Sequence, residues 1–152
     1  MRIAKAMSAV SLFLAIAVPG LNAACNNASA AGTFGFTVTG TLYVPDPAPV
    51  GAVGIIRFDQ KGNATGSQDR SVGGAFAHEL LLGKLTVHAD CTLNLLANVY
   101  DTSGNLIRTS TLPGVLVNNG QEIRVMFASV VLPNGASLPS VLTVDAVRLH
   151  PE

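Results

Sequence analysis

Three histidines and the carboxylates near them are the residues of this chain that could bind a metal ion. His78 and Glu79 are adjacent, and His88 and Asp90 lie close together farther along. Groups of this kind bind zinc when three or four of them converge. No close His-x-x-x-His spacing is present, and all of these side chains would have to turn to one face. We therefore interpret them as a solvated strand edge and predict no metal site.

Other patterns that carry catalysis are incomplete. Residues 59–63 resemble part of a calcium-binding loop, but Lys61 stands at a ligand position and no glutamate closes the loop. There is no Gly-x-Ser-x-Gly motif, and Gly83-Lys84 lacks the flanking residues of a phosphate-binding loop. The nine carboxylates are scattered, although strand pairing could still bring two groups together. We predict no catalytic residue and no cofactor, and enzymatic activity stays open.

The N-terminus has the pattern of a secretory signal peptide. Residues 1–5 contain two basic side chains, residues 6–18 are apolar, and small residues follow at Ala23 and Ala24. The apolar run is shorter than the roughly 20 residues of a membrane-spanning helix. We predict a signal peptide at residues 1–24, a secreted or periplasmic mature protein with one domain at residues 25–152, and no transmembrane segment after cleavage.

Cys25 and Cys91 are the two cysteines of the chain. Export places them in an oxidising compartment, where an even number of cysteines usually indicates a disulfide. A Cys25–Cys91 bond would constrain the unfolded chain and hold the N-terminal segment in place. An unpaired, buried Cys91 is the alternative.

Charge excludes one class of partner. The mature chain has seven basic and nine acidic residues, because Arg2 and Lys5 leave with the signal peptide, and its net charge is −2. Neither sign clusters, so we predict no nucleic-acid partner.

Alternation of apolar and polar residues predicts β-strands along most of the mature chain. In residues 33–44 the side chains of Phe34, Phe36, Val38 and Leu42 share one face, and threonines occupy the other. Residues 59–63 and 101–105 contain the Asp, Asn and Gly residues of tight hairpin turns, and looser forms follow at 118–120 and 133–135. The eight predicted strands lie near residues 33–44, 52–58, 63–71, 75–88, 91–100, 105–112, 121–132 and 138–149.

Two all-β architectures fit consecutive hairpins without long crossovers: an antiparallel up-and-down barrel and a two-sheet β-sandwich. We favour an eight-stranded barrel, because closure removes the sheet edges that promote aggregation. Residues 75–82 also fit one short helix, but the alternation that follows them favours a strand.

Three segments carry a resemblance to a known family. They are Gly-Thr-Phe-Gly-Phe at 32–36, Phe-Asp-Gln-Lys-Gly-Asn at 58–63 and Asp-Cys-Thr at 90–92. The chain resembles a family of small exported bacterial proteins of unknown function, which share a Gly-Thr-Tyr-Gly-Phe opening, a Phe-Asp-Gly-Lys-Gly-Asn turn and an Asp-Cys-Thr step. The resemblance implies a calycin-like barrel and a paired cysteine, but no activity. Beyond Val125 the sequence departs from the family pattern.

We predict an exported, non-catalytic barrel that acts as a binding or structural module. A small apolar ligand is the candidate occupant, with Phe34, Phe36, Val38 and Leu42 as its lining and small residues at Gly40, Ala52 and Gly54 leaving room. One alternative is an isomerase-type enzyme on a calycin-like barrel, which a cavity lined by a carboxylate or histidine would favour. Another is a surface or matrix protein that associates with itself.

The C-terminal hairpin is apolar on both faces. A single-layer barrel wall can bury only one face, so the other would form a large exposed patch. We predict a homo-oligomer, as a symmetric dimer, through Met126, Val130, Leu142 and Val144.

Overall fold

The structure, a computed structural model, describes residues 24–151. The predicted signal peptide lies outside the described residues, apart from Ala24. Nine strands form within this range: β1 (Gly32–Tyr43), β2 (Pro47–Phe58), β3 (Asn63–Val72), β4 (Ala75–Val87), β5 (Thr92–Tyr100), β6 (Leu106–Val117), β7 (Glu122–Met126), β8 (Ser129–Val131) and β9 (Ser140–Pro151).

The strands form a closed antiparallel barrel. Each strand from β1 to β6 pairs with the next strand in the chain. The circle is completed because β7 pairs with β9 and β9 pairs with β1. These eight strands complete the wall, and the short β8 also pairs with β6. The barrel prediction is confirmed and the sandwich does not form. Residues 75–82 belong to β4 and not to a helix.

The hairpin turns use the same side-chain device twice. The Asp59 carboxylate accepts hydrogen bonds from the backbone N–H groups of Lys61 and Asn63, at 2.9 and 2.8 Å, and from Asn63 Nδ2 at 2.6 Å. Asp101 repeats this arrangement. The side-chain hydrogen bond from Asn63 is the main cause of the lowered pKa of Asp59. Both Asp59 oxygens therefore accept hydrogen bonds within the turn. This arrangement is typical of a hairpin turn and not of a calcium-binding loop.

The two ends of the barrel differ. We call the end with the turns at 44–46, 73–74, 101–105 and 132–139 the open end, and the end with the turns at 59–62, 88–91 and 118–121 the closed end. A short 3₁₀ turn, Asn27–Ala30, lies at the closed end with Ala30 fully buried. The Cys25–Cys91 disulfide ties this segment to the turn at 88–91, as predicted.

Arg148 of β9 completes the closed end. Its guanidinium group donates hydrogen bonds to the backbone oxygens of Ser29, Ala31 and Gly120. It also lies 4.7 Å from the ring centroid of Phe34, close enough for a cation–π interaction. Protein atoms thus fill this end of the barrel.

The C-terminal hairpin departs from the expected single strand at 121–132. The chain forms β7 and β8 instead, separated by Phe127 and Ala128. Phe127 N–H donates to the Leu142 oxygen on β9, and Ala128 N–H donates to the Thr111 oxygen on β6. Val125 pairs with Gly114 of β6 and Ser129 pairs with Thr111, so three residues of this segment lie opposite two residues of β6, as in a β-bulge, and the alternation shifts by one residue. Val125 and Val130 both become buried as a result.

This shift corrects the placement of the proposed self-association residues. Met126 is 54% exposed, but Val130 and Leu142 are buried and Val144 packs against the core. The four side chains therefore do not form one exposed patch. A strand that is apolar on both faces does not reveal its register in sequence, because either face satisfies the pattern.

Loss of the disulfide should destabilise the fold. The bond joins residues separated by 66 positions, and a loop of that length stabilises by about 4 kcal/mol through the unfolded chain. Cys91→Ser should lower the free energy of unfolding of the oxidised mature chain by about that amount in denaturant titrations. Cys25→Ser is the matched control and should cause the same loss. Unchanged stability in both variants would contradict the account.

Candidate functional site

Four polar side chains lie inside the barrel toward its open end. Gln68 and Arg70 are on β3, Glu79 is on β4 and Arg108 is on β6. Each is in phase with the buried apolar residues of its strand, as Glu79 is with Leu81. We call these four residues the Glu79 cluster.

Glu79 is at the centre of the cluster and has 0% of its surface exposed. Its Oε1 accepts hydrogen bonds from Arg70 Nε at 2.7 Å and Arg108 Nη1 at 2.8 Å. Its Oε2 accepts from Gln68 Nε2 at 2.7 Å and Arg108 Nη2 at 2.5 Å. Arg108 thus holds the carboxylate in a two-pronged contact, the strong form of this ion pair. Such complete pairing is what allows a charge to be buried.

These contacts determine the ionisation of Glu79. Burial by itself would raise the pKa of the carboxyl, because a low-dielectric interior disfavours its charged form. The hydrogen bonds and charge of Arg108, together with the hydrogen bonds from Gln68 and Arg70, outweigh burial and lower the pKa from 4.5 to about 2. Glu79 is therefore a carboxylate at neutral pH and a poor proton donor or acceptor there.

The cluster has an excess positive charge, since two guanidinium groups face one carboxylate. Arg108 uses both terminal nitrogens on Glu79, whereas Arg70 uses only Nε. Within the described part of the chain, Nη1 and Nη2 of Arg70 have no hydrogen-bond partner. The Arg70 side chain is 23% exposed, so these donors are partly open to solvent.

Two cavities flank the cluster. The outer cavity, about 240 Å³, is lined by Gln68, Arg70, Arg108 and ten apolar side chains. The inner cavity, about 70 Å³, is lined mainly by apolar side chains. Gln68 and Arg108 line both, so the polar cluster lies where the two cavities meet.

Ser110 adds an unsatisfied polar group to the inner cavity. It is 1% exposed, it follows Arg108 on the inward face of β6, and it lines this cavity. Its Oγ has no hydrogen-bond partner among the described residues. An unpaired buried hydroxyl typically costs about 1–3 kcal/mol, so a polar atom next to Ser110 would be favourable.

The structure places the four predicted lining residues in different roles. Phe36 lines the inner cavity, Val38 lines both cavities and Leu42 lines the outer one. Phe34 lines neither and packs edge-on against Phe58, with ring centroids 5.8 Å apart. The small residues also divide. Ala52 lines the outer cavity, whereas a Cβ at Gly54 would lie 2.6 Å from the Phe36 ring, so that space is already occupied.

The histidines and carboxylates that were considered as metal ligands, and interpreted as a solvated edge, point in different directions. His78 is exposed, and its Nδ1 lies 2.7 Å from Asp69 Oδ1 on the neighbouring strand. Glu79, the next residue, points inward instead. His88 and Asp90 are at the closed end, where Asp90 accepts hydrogen bonds from Thr92. Among the described residues, no three side chains of histidine, cysteine, aspartate or glutamate come together in a group that could hold a metal ion.

The outer surface carries an apolar patch on β1, β2 and β9. Ile55, Gly35 and Val147 are direct neighbours across these three strands. Because Gly35 has no side chain, Leu149 leans over it, with its Cδ1 3.4 Å from where a Cβ would be. Val53 extends the same row of exposed side chains along β2. We call Val53, Ile55, Val147 and Leu149 the aliphatic patch.

The Glu79 cluster is what inspection of the sequence missed. The signal was in the alternation of β4, where Glu79 shares its phase with Leu81 and Leu85 and not with the exposed His78. A charged residue in a buried phase demands a partner of opposite charge. Arg108 has the same property on β6, but nothing in the sequence tells which strands face each other across the barrel.

Neither a protein-family model nor a curated protein matches this chain. The barrel is consistent with a calycin-like fold. In the described residues, the structure has no helix that is both long enough and apolar enough to cross a membrane.

Glu79→Gln should remove stability that depends on pH. A carboxyl group whose pKa is lower in the folded than in the unfolded protein stabilises the fold at pH values above its unfolded-state pKa. This stabilisation is lost as the pH falls through its folded-state pKa. The shift from 4.5 to about 2 corresponds to about 3 kcal/mol, present at neutral pH and lost between those two values. The variant should be destabilised by at least about this amount at pH 7, because two partly buried guanidinium groups lose their counter-charge.

The control for this experiment is Glu122→Gln. Glu122 pairs with the exposed Arg124 at the surface, at 3.1 Å, so its loss should cost less than about 1 kcal/mol. Denaturant unfolding at several pH values measures both variants. Equal stability of Glu79→Gln and the wild type at pH 7 would refute the importance of the buried carboxylate.

Proposed function

We propose that this protein is an exported barrel that binds a small apolar ligand in the outer cavity. The single observation that carries the proposal is a cavity of about 240 Å³, ten of whose lining side chains are apolar, next to a small set of fixed polar groups. This is the usual composition of a small-molecule site. The filled closed end and the cavity near the opposite end give such a ligand one direction of entry.

Two further proposals concern where the protein acts and what it is related to. The Cys25–Cys91 disulfide and the N-terminal sequence pattern support export to an oxidising compartment, the periplasm or the exterior. The barrel and the paired cysteines support membership of the family of small exported bacterial proteins that the motifs resemble.

The polar groups of the outer cavity favour binding over the isomerase alternative. Among the described residues, the lining of the outer cavity includes no histidine and no carboxylate, and Arg70, Arg108 and Gln68 supply N–H donors that can hold a ligand. Glu79 lies behind them as an ionised carboxylate whose oxygens are already bonded.

Filling the outer cavity should block binding. Ala52→Leu adds a side chain to the wall of this cavity and should weaken the binding of 1-octanol, an apolar probe, about tenfold or more. Its thermal stability should be equal or higher, because the new side chain fills a void. Isothermal titration of the mature protein gives the affinity.

The matched control is Val53→Leu, at the next residue on the same strand, which points outward and should leave affinity unchanged. Absence of octanol binding by the wild type, together with an empty extract in lipid mass spectrometry of the purified protein, would end the proposal.

We also propose that the barrel self-associates, with the aliphatic patch as the contact in place of the hairpin residues, among which Val130 and Leu142 are buried. Four exposed aliphatic side chains on β2 and β9, the two strands that flank β1, form the kind of contiguous apolar surface that a second copy covers. Ile55→Asp should convert a dimer to a monomer in light scattering. Thr65 is exposed on the neighbouring β3, and Thr65→Asp should leave the dimer intact. A wild-type protein that stays monomeric at high concentration would contradict this proposal.

A further inference from the structure

The charge of the Glu79 cluster is not balanced by protein groups lining the cavities. Arg70 and Arg108 supply two positive charges and Glu79 supplies one negative charge. The remaining residues that line the outer cavity are apolar, apart from the neutral Gln68. A positive charge beside apolar walls is stabilised by any anion that enters, because the low-dielectric surroundings strengthen their attraction.

Arg70 is the group that can receive such an anion. Glu79 holds its Nε at 2.7 Å and so fixes the plane of the guanidinium group. In the part of the chain that the structure describes, Nη1 and Nη2 have no hydrogen-bond partner, and the side chain lines the outer cavity. Arg108, by contrast, has both terminal nitrogens engaged with Glu79. The cluster therefore presents one pre-oriented guanidinium edge, the arrangement that binds a carboxylate through two hydrogen bonds.

We propose that the ligand of the outer cavity is an amphipathic monocarboxylate, whose carboxylate binds Arg70 and whose apolar part contacts the cavity wall. This inference rests on the proposed binding function and deepens it. One excess positive charge matches one carboxylate, whereas a phosphate monoester would bring about two negative charges. Glu79 acts as a positioning residue, since its oxygens orient the two arginines and it does not line the outer cavity.

The cavity volume sets the size of the apolar part. A dry cavity of about 150 Å³ accepts benzene, so the outer cavity, about 240 Å³, suits a molecule of about ten non-hydrogen atoms. Octanoate has this size and carries the proposed head group. 1-Octanol has the same chain without the charge, and the pair separates head-group recognition from apolar contact.

The test is isothermal titration of the full mature chain with octanoate and with 1-octanol. Octanoate should bind about tenfold or more tightly, because hydrogen bonds to charged groups are stronger than neutral ones. Arg70→Gln should abolish this preference, so that the two probes bind with similar affinity, and far-UV circular dichroism shows whether the variant is folded. Arg124→Gln changes an exposed arginine on the outer face and should bind both probes as the wild type does.

Equal affinity of the wild type for both probes would overturn the inference and leave the proposed binding function standing. An octanoate preference that persists in Arg70→Gln would also overturn it, since another group would then hold the carboxylate. Failure of both probes to bind would overturn the proposed function and this inference with it. The wild-type comparison decides without any variant, so instability of Arg70→Gln does not leave the inference untested.

Discussion

The buried carboxylate of Glu79 is the interaction on which the interior of this barrel depends. Burying one charge is unfavourable unless hydrogen bonds and an opposite charge replace its hydration. Here the partners come from β3 and β6, so a side chain of β4 links strands that are not all neighbours in the wall. Without Glu79, two arginines would face each other in an apolar interior. With it, they are held in place and aliphatic residues cannot fill the same volume.

The consequence is an interior divided along the barrel axis. Toward the closed end, Phe34, Phe58, Leu85 and Leu93 are almost wholly buried, and Arg148 and the disulfide-tethered N-terminal segment cover them. Toward the open end, the polar cluster interrupts this packing and cavities remain on both sides of it. The closed half thus contains the largest wholly buried apolar side chains, and the open half supplies the groups that can recognise a ligand. The same division places any ligand far from the disulfide.

Much of the fold was predictable because local chemistry and tertiary structure agree. The Asp and Gly residues at 59–63 and 101–105 specify turns by themselves, and the alternation in residues 33–44 specifies a strand with one buried face. The C-terminal hairpin was not predictable in detail. Met126 and Val130 share a sequence phase, and only the bulge at Phe127 and Ala128 separates them in space. The candidate site was missed for a related reason, since Arg70, Glu79 and Arg108 meet only after the barrel closes.

The ionisation of Glu79 tests this account most directly. Site-resolved carbon NMR of the side-chain carboxyl, followed through an acid titration of the mature protein, reports it without any mutation. We expect the Glu79 signal to stay that of a carboxylate through the usual range of glutamate, with a midpoint near pH 2 or at acid unfolding if that comes first. A midpoint at or above the ordinary value of 4.5 would show that the arginines do not hold the carboxylate, and would contradict both the cluster and the cavity chemistry derived from it.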